Sequence, residues 1–103
     1  MEIIHYSEEN LKKDILRIIG KYLNLNEYKV FFFGSRVRKN NSPRSDIDIG
    51  IEGAKPIPIE IMAKIKEEIS NLPVLYQIDI VDFNNVSEDF YKVAKKYIEP
   101  IKE

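Results

Sequence analysis

Two periodicities alternate along the chain. Leu11, Ile15, Ile18, Ile19 and Tyr22 recur at three- and four-residue spacing behind Ser7-Glu8-Glu9, a capping residue followed by first-turn acids. This predicts an amphipathic helix over 8–23. After the asparagine-rich turn at Asn24 and Asn26, Tyr28-Lys29-Val30-Phe31-Phe32-Phe33 is aromatic and β-branched and stops at Gly34, as a buried strand ending on a glycine would. The polar stretch 36–44, with Asn40, Asn41 and Pro43, predicts a loop at the sheet edge. Ile47, Ile49 and Ile51 then alternate with Asp46, Asp48, Gly50 and Glu52. That period of two belongs to a strand with one buried face and its carboxylates on the other.

In the second half, Pro56 and Pro58 introduce a helix whose apolar stripe is Ile61, Met62, Ile65, Ile69 and Leu72. Residues 74–81 read as a third strand. Ser87-Glu88-Asp89 opens a last helix carrying Phe90, Val93, Ala94 and Tyr97, and the tail 98–103, interrupted by Pro100, predicts a short edge strand. Tyr22, Tyr28, Tyr76, Tyr97 and the Phe31 to Phe33 run are expected in the core rather than as stacking platforms for bases. No repeat or linker interrupts the pattern, so 1–103 is expected to form a single domain.

Composition narrows the chemistry. The 103 residues include 44% hydrophobic and 32% charged, as in an ordinary globular domain, and sixteen basic against seventeen acidic residues leave a net charge of -1. A near-neutral chain has no overall attraction to a nucleic-acid backbone, so nucleic acid is not expected as the direct substrate and any phosphate binding must be local. Cysteine is absent, and the single histidine, His5, cannot build a metal cluster. Carboxylates are therefore the candidate metal ligands. No apolar run approaches the roughly 20 residues of a membrane span and the first residues lack a basic signal-peptide start, so a cytoplasmic protein is expected.

The candidate chemistry sits where strands end. Asp46 and Asp48, two apart on a predicted strand, project from one face with Cα atoms roughly 6.5 Å apart. Such a pair can hold magnesium, which prefers oxygen ligands and takes its remaining ones from water and substrate phosphates. Ile78 and Ile80 belong to a buried face, so Asp79 points to the opposite one; if its strand lies beside that of Asp48, three carboxylates converge. A two-metal phosphoryl-transfer site needs such a set, with Asp79 serving the ion that activates the attacking hydroxyl. Gly34-Ser35 at a strand end offers close backbone approach, a hydroxyl and N–H groups to phosphate, and Arg36, Arg38, Lys39 and Arg44 supply local positive charge. Taken singly these features are ordinary turns and surface; together they are specific.

Gly34-Ser35-Arg36, a loop of about ten residues, then Ser45-Asp46-Ile47-Asp48, and later Gln77-Ile78-Asp79-Ile80-Val81-Asp82 resemble the signature of the polymerase-β-like nucleotidyltransferase superfamily. Within it the chain, from about residue 8 onward, is similar to the minimal nucleotidyltransferases, the MNT-type antitoxins commonly paired with a HEPN-domain toxin. The resemblance implies an α+β fold, a mixed sheet flanked by helices as in the polymerase-β palm. It further implies magnesium-dependent transfer of a nucleoside monophosphate, AMP from ATP, to a tyrosine hydroxyl of the HEPN partner. Gly34, Ser35 and Arg36 would position the nucleotide, and Asp46, Asp48 and Asp79 would bind two magnesium ions and carry the catalysis. Where the family often has a second glycine after Gly-Ser, this chain has Lys39. A non-catalytic module that neutralises its partner by occlusion is the alternative, separable by whether Asp46→Asn, Asp48→Asn protein still neutralises.

Overall fold

A computed structural model describes residues 7–34, 46–74 and 76–102. Its elements run α1 (Glu8–Tyr22), β1 (Tyr28–Phe33), β2 (Ile47–Gly53), α2 (Ile59–Ser70), β3 (Ile78–Asp82), α3 (Glu88–Ala94) and β4 (Ile98–Lys102). The four strands form one mixed sheet in the order β3-β2-β1-β4, with β1 antiparallel to β2 and β4 and β2 parallel to β3. This is the α+β architecture the sequence predicts.

Helix α1 begins where the Ser7 side chain accepts a hydrogen bond from the Asn10 N–H at 3.0 Å, and it ends as Leu23 turns to extended backbone. Its buried stripe of Leu11, Ile15, Ile18 and Ile19 packs with Ile65 and Ile69 of α2 against one face of the sheet, formed by Tyr28, Val30, Phe32, Ile47, Ile49, Ile51 and Ile80. Lys21 reaches Glu68 at 2.6 Å, and the Tyr22 hydroxyl donates to the same carboxylate, joining α1 to α2. Among the described residues no helix is long and apolar enough to cross a membrane.

The opposite face carries a smaller cluster of Phe31, Phe33 and Phe83, with Val81, Tyr91, Ala94 and Ile98 against it. Strand β1 is thus buried on both sides, which explains its uninterrupted aromatic run. Gly50 lies between these rings: a Cβ there would meet the Phe31 ring and come within 2.6 Å of Phe83. The missing side chain is what lets Phe83 fold over the sheet. Tyr91 donates to Glu52 at 2.5 Å and Lys95 pairs with the same carboxylate at 2.6 Å, pinning α3 to this face.

Three expectations shift. The third strand spans Ile78–Asp82, not 74–81: the Val74 N–H donates to the Leu72 carbonyl at 2.8 Å, a tight turn beside Pro73 that keeps Val74 and Tyr76 packed on the core without joining the ladder. Pairing starts only where Ile47 N–H reaches the Gln77 carbonyl at 2.9 Å. The stripe expected on the last helix does not face the core, since Phe90, Val93 and Tyr97 are 41%, 61% and 52% exposed. The Glu52 contacts set the rotation of α3 so that Tyr91 and Ala94 face the sheet, and the helix ends before Tyr97. Asp46 precedes β2 rather than belonging to it. The tail does form an edge strand, and Pro100 sits at the register irregularity opposite Phe31, where a missing N–H is tolerated.

Gly50→Ala is expected to lower stability by about 1–3 kcal/mol through overpacking of Phe31 and Phe83. Urea unfolding should show a lower midpoint with an unchanged slope; a midpoint equal to wild type would contradict the packing role given to this glycine.

Candidate active site

Parallel pairing of β2 with β3 puts Asp48 directly beside Asp79, and antiparallel pairing with β1 puts Phe33 on the other flank of Asp48. Ladder partners share a face, so Phe33, Asp48 and Asp79 form one row across the sheet on the side away from α1 and α2. The condition set by the sequence, that the strands of Asp48 and Asp79 be neighbours, is met. Asp46 stands exposed at the entry to β2, near enough to act electrostatically on Asp48.

Gly34 closes the row from the β1 side. Its φ of +89° is a conformation that L side chains rarely adopt, and a Cβ built there would collide with the Asp48 carboxylate. Both requirements select glycine, and they bring the backbone of the expected phosphate-binding turn against the central acid. Ser35 and Arg36, like Arg38, Lys39 and Arg44, lie outside the described residues.

Burial, then the neighbouring charges of Asp79 and Asp46, pushes the Asp48 carboxyl up to about 6. Repulsion of this kind needs a cation to relieve it, and three hard oxygen donors suit magnesium rather than a softer metal. The donor set therefore fits the group that the sequence implies. Among the described residues, no three acids are gathered closely enough to hold a metal ion. One contributor was not anticipated: the Gln77 carboxamide donates to Asp79 Oδ1 at 3.3 Å and so biases its orientation. Its place two residues before Asp79 was the available signal. A cavity of about 440 Å³ between α2 and the edge of β3, lined by Lys66, Ile69, Leu72, Tyr76, Ile78 and Ile80 with Gln77 and Asp79 at its border, lies on the helix-covered side of the sheet, opposite the acid row.

Residues 13–101 match the family described as "Polymerase beta, Nucleotidyltransferase". The chain belongs to this nucleotidyltransferase family. It is also 28% identical over 100 residues to the "Probable protein adenylyltransferase MntA" of Haemophilus influenzae, covering 95% of this chain and 88% of that protein. Two solved structures share its fold. One is a chain of a toxin–antitoxin crystal structure with AMP-PNP, at TM-score 0.70 and 18% identity, over 87% of this chain and 71% of that one. The other comes from a tri-AMPylated Shewanella oneidensis HEPN toxin in complex with MNT antitoxin, at TM-score 0.70 and 16% identity, over 92% and 71%. The resemblance read from the Gly-Ser and Asp-Ile-Asp motifs is thus borne out at the level of family and fold.

The raised Asp48 carboxyl has a definite sign in stability. Between about pH 4 and 6 the folded chain binds more protons at Asp48 than the unfolded chain does, so stability falls as pH rises through this window and the cost is fully present above it. In metal-free protein Asp48→Asn should therefore be more stable than wild type at pH 8 by on the order of 1–2 kcal/mol, a partial figure because water screens the site. The difference should vanish near pH 4, as read by chemical unfolding across pH with EDTA present. A difference independent of pH would refute the assignment.

Proposed function

We propose that this chain is a magnesium-dependent protein adenylyltransferase that moves AMP from ATP to a tyrosine hydroxyl of a HEPN-type toxin and thereby acts as its antitoxin. The observation that carries this reading is the row Asp48–Asp79 with Gly34 turned against Asp48. Family membership supports nucleotidyl transfer, and the similarity to a probable protein adenylyltransferase supports a protein acceptor. The fold shared with chains from toxin–antitoxin complexes supports the HEPN partner. Residues 1–103 would act as one catalytic domain in the cytoplasm, where ATP and the toxin meet.

In this reaction the phenolic oxygen forms a bond to the α-phosphorus as the bond from that phosphorus to the bridging oxygen breaks, and pyrophosphate leaves with the electron pair. Asp46, Asp48 and Asp79 would hold two magnesium ions, whose charge neutralises the phosphates and the developing negative charge. Gly34 lets the chain pass close to the phosphates, and Ser35 and Arg36 would bind them. Asp79, on the edge strand, would hold the ion that activates the phenolic oxygen, and Gln77 orients its carboxylate.

With ATP labelled at the α-phosphate, magnesium and a HEPN-type toxin as acceptor, the wild-type chain should transfer label to a tyrosine of the toxin. Asp48→Asn and Asp79→Asn should each reduce the rate by at least about 100-fold, the scale on which loss of one transition-state contact is felt. Label transfer unchanged in both variants would defeat the assignment. An Asp46→Asn, Asp48→Asn protein that still neutralises the toxin would establish occlusion in place of catalysis.

A further inference from the structure

Strand β3 is the outer strand of the sheet, and among the described residues no strand lies beyond it. Two hydrogen bonds fix which way its backbone points. The Ile47 N–H donates to the Gln77 carbonyl at 2.9 Å and the Phe83 N–H donates to the Ile51 carbonyl at 2.8 Å, so the odd-numbered residues from 77 to 83 turn their N–H and C=O groups toward β2. Ile78 and Ile80 therefore turn theirs outward. The Asp82 carbonyl is already taken by the Asn85 N–H at 3.0 Å, which leaves Ile78 and Ile80 as the pairing positions of this edge. Two cavities follow the same edge on the helix-covered side. The one of about 440 Å³ is walled by Ile69, Leu72 and Tyr76, a second of about 410 Å³ by Ile57, Met62 and Val86, and Lys66 and Ile80 border both. Ile59, also in the wall of the second, is 84% exposed.

We propose that β3 receives the acceptor as an added strand: an extended segment of the partner protein, with a tyrosine between two apolar residues, pairs antiparallel with Ile78–Asp82 and sets its tyrosine opposite Asp79. This rests on the protein adenylyltransferase reading above. Register makes the assignment. The backbone groups of Asp79 face β2, so a residue opposite it belongs to a non-hydrogen-bonded pair, with Cα atoms about 4.5 Å apart, and its side chain rises from the same face. That is the face of the acid row. The residues before and after the tyrosine lie opposite Ile78 and Ile80, exchange N–H···O bonds with them, and turn their side chains to the other face, over the two cavities. Apolar side chains there meet apolar walls. One extended segment thus brings a hydroxyl to the acids while its anchors sit on the far side of the sheet, with main-chain bonds supplying the rest of the affinity. A second copy of this chain is a poorer occupant, because edge-to-edge pairing sets one acid row beside another.

The test uses the full chain, magnesium, ATP labelled at the α-phosphate and the capped peptide Lys-Thr-Ile-Tyr-Ile-Thr-Lys. Saturating peptide should slow amide hydrogen exchange at Ile78 and Ile80 at least about fivefold, as read by NMR, and the peptide tyrosine should take the label. Aspartate in place of both peptide isoleucines, or N-methylation of both, should lower kcat/KM at least about tenfold, through KM. Ile59→Asp, at an exposed position, should raise the peptide KM about fivefold and leave that of ATP unchanged. Label on the peptide with Ile78 and Ile80 unprotected, equal labelling of all three peptides, or a wild-type peptide KM in Ile59→Asp overturns strand addition and leaves nucleotidyl transfer standing. So does a HEPN-type toxin that is labelled while the peptide is neither labelled nor protective. Self-association that protects the same amides without peptide overturns it in favour of a second copy. Protection with no label on peptide or toxin overturns the transfer reading alone, and neither protection nor label on any acceptor overturns both.

Discussion

A carboxylate in the middle of a sheet, with a second carboxylate in the next strand at the same height, is an unfavourable arrangement that the rest of the chain must enforce. Asp48 and Asp79 stay in register because slipping β3 by one residue would turn Ile78 and Ile80 out of the main core and bring Asp79 into it. Ile47, Ile49, Ile51 and Ile80 are at most 5% exposed. At about 1.5–3 kcal/mol for each buried side chain, their burial outweighs the repulsion between the two acids, which is on the order of 1–2 kcal/mol at a partly wetted site. The isoleucine face under α1 and α2 is thus what aligns the acids on the other face. Fold and site are two sides of one register.

Strand β2 carries a second acid on that same face, and the contrast shows how neighbours set its role. Burial opposes ionisation of Glu52, but hydrogen bonds from Lys95 and Tyr91 overcome that cost and hold its carboxyl below the usual carboxylate range. At Asp48 burial and the adjacent acids act together and raise it. Glu52 is therefore a satisfied anchor that docks α3, and Asp48 is an acid awaiting a cation.

Much of this was legible in the chain because the relevant patterns are local. The alternation at Ile47, Ile49 and Ile51 identified the buried face of β2, and the parity of Asp79 against Ile78 and Ile80 put it opposite. Ser7 and Ser87 cap the two helices expected to begin there. What local pattern could not carry was tertiary. Val74 and Tyr76 have strand-like side chains but are diverted by a backbone turn, and the stripe at Phe90, Val93 and Tyr97 has helical spacing without a core to bury it, since the rotation of α3 is decided by Glu52, some forty residues away. The Gln77 contact to Asp79 was likewise invisible until the ladder placed both on the edge strand.

A carboxyl raised to about 6 could serve as a general base instead of a ligand, and position decides between these roles. Asp48, half-buried, sits between Phe33 and Asp79 in the middle of the row, with the backbone of Gly34 against its oxygen. Asp79 is on the edge strand, beside Asp48 in the next strand. Burial and the charges of Asp79 and Asp46 favour a proton on Asp48, which relieves the same cluster of charge that a divalent ion would relieve under the proposed function. The central place of Asp48 in the row thus supports the ligand role proposed for it, and the edge place of Asp79 supports the proposed ligand on the acceptor side.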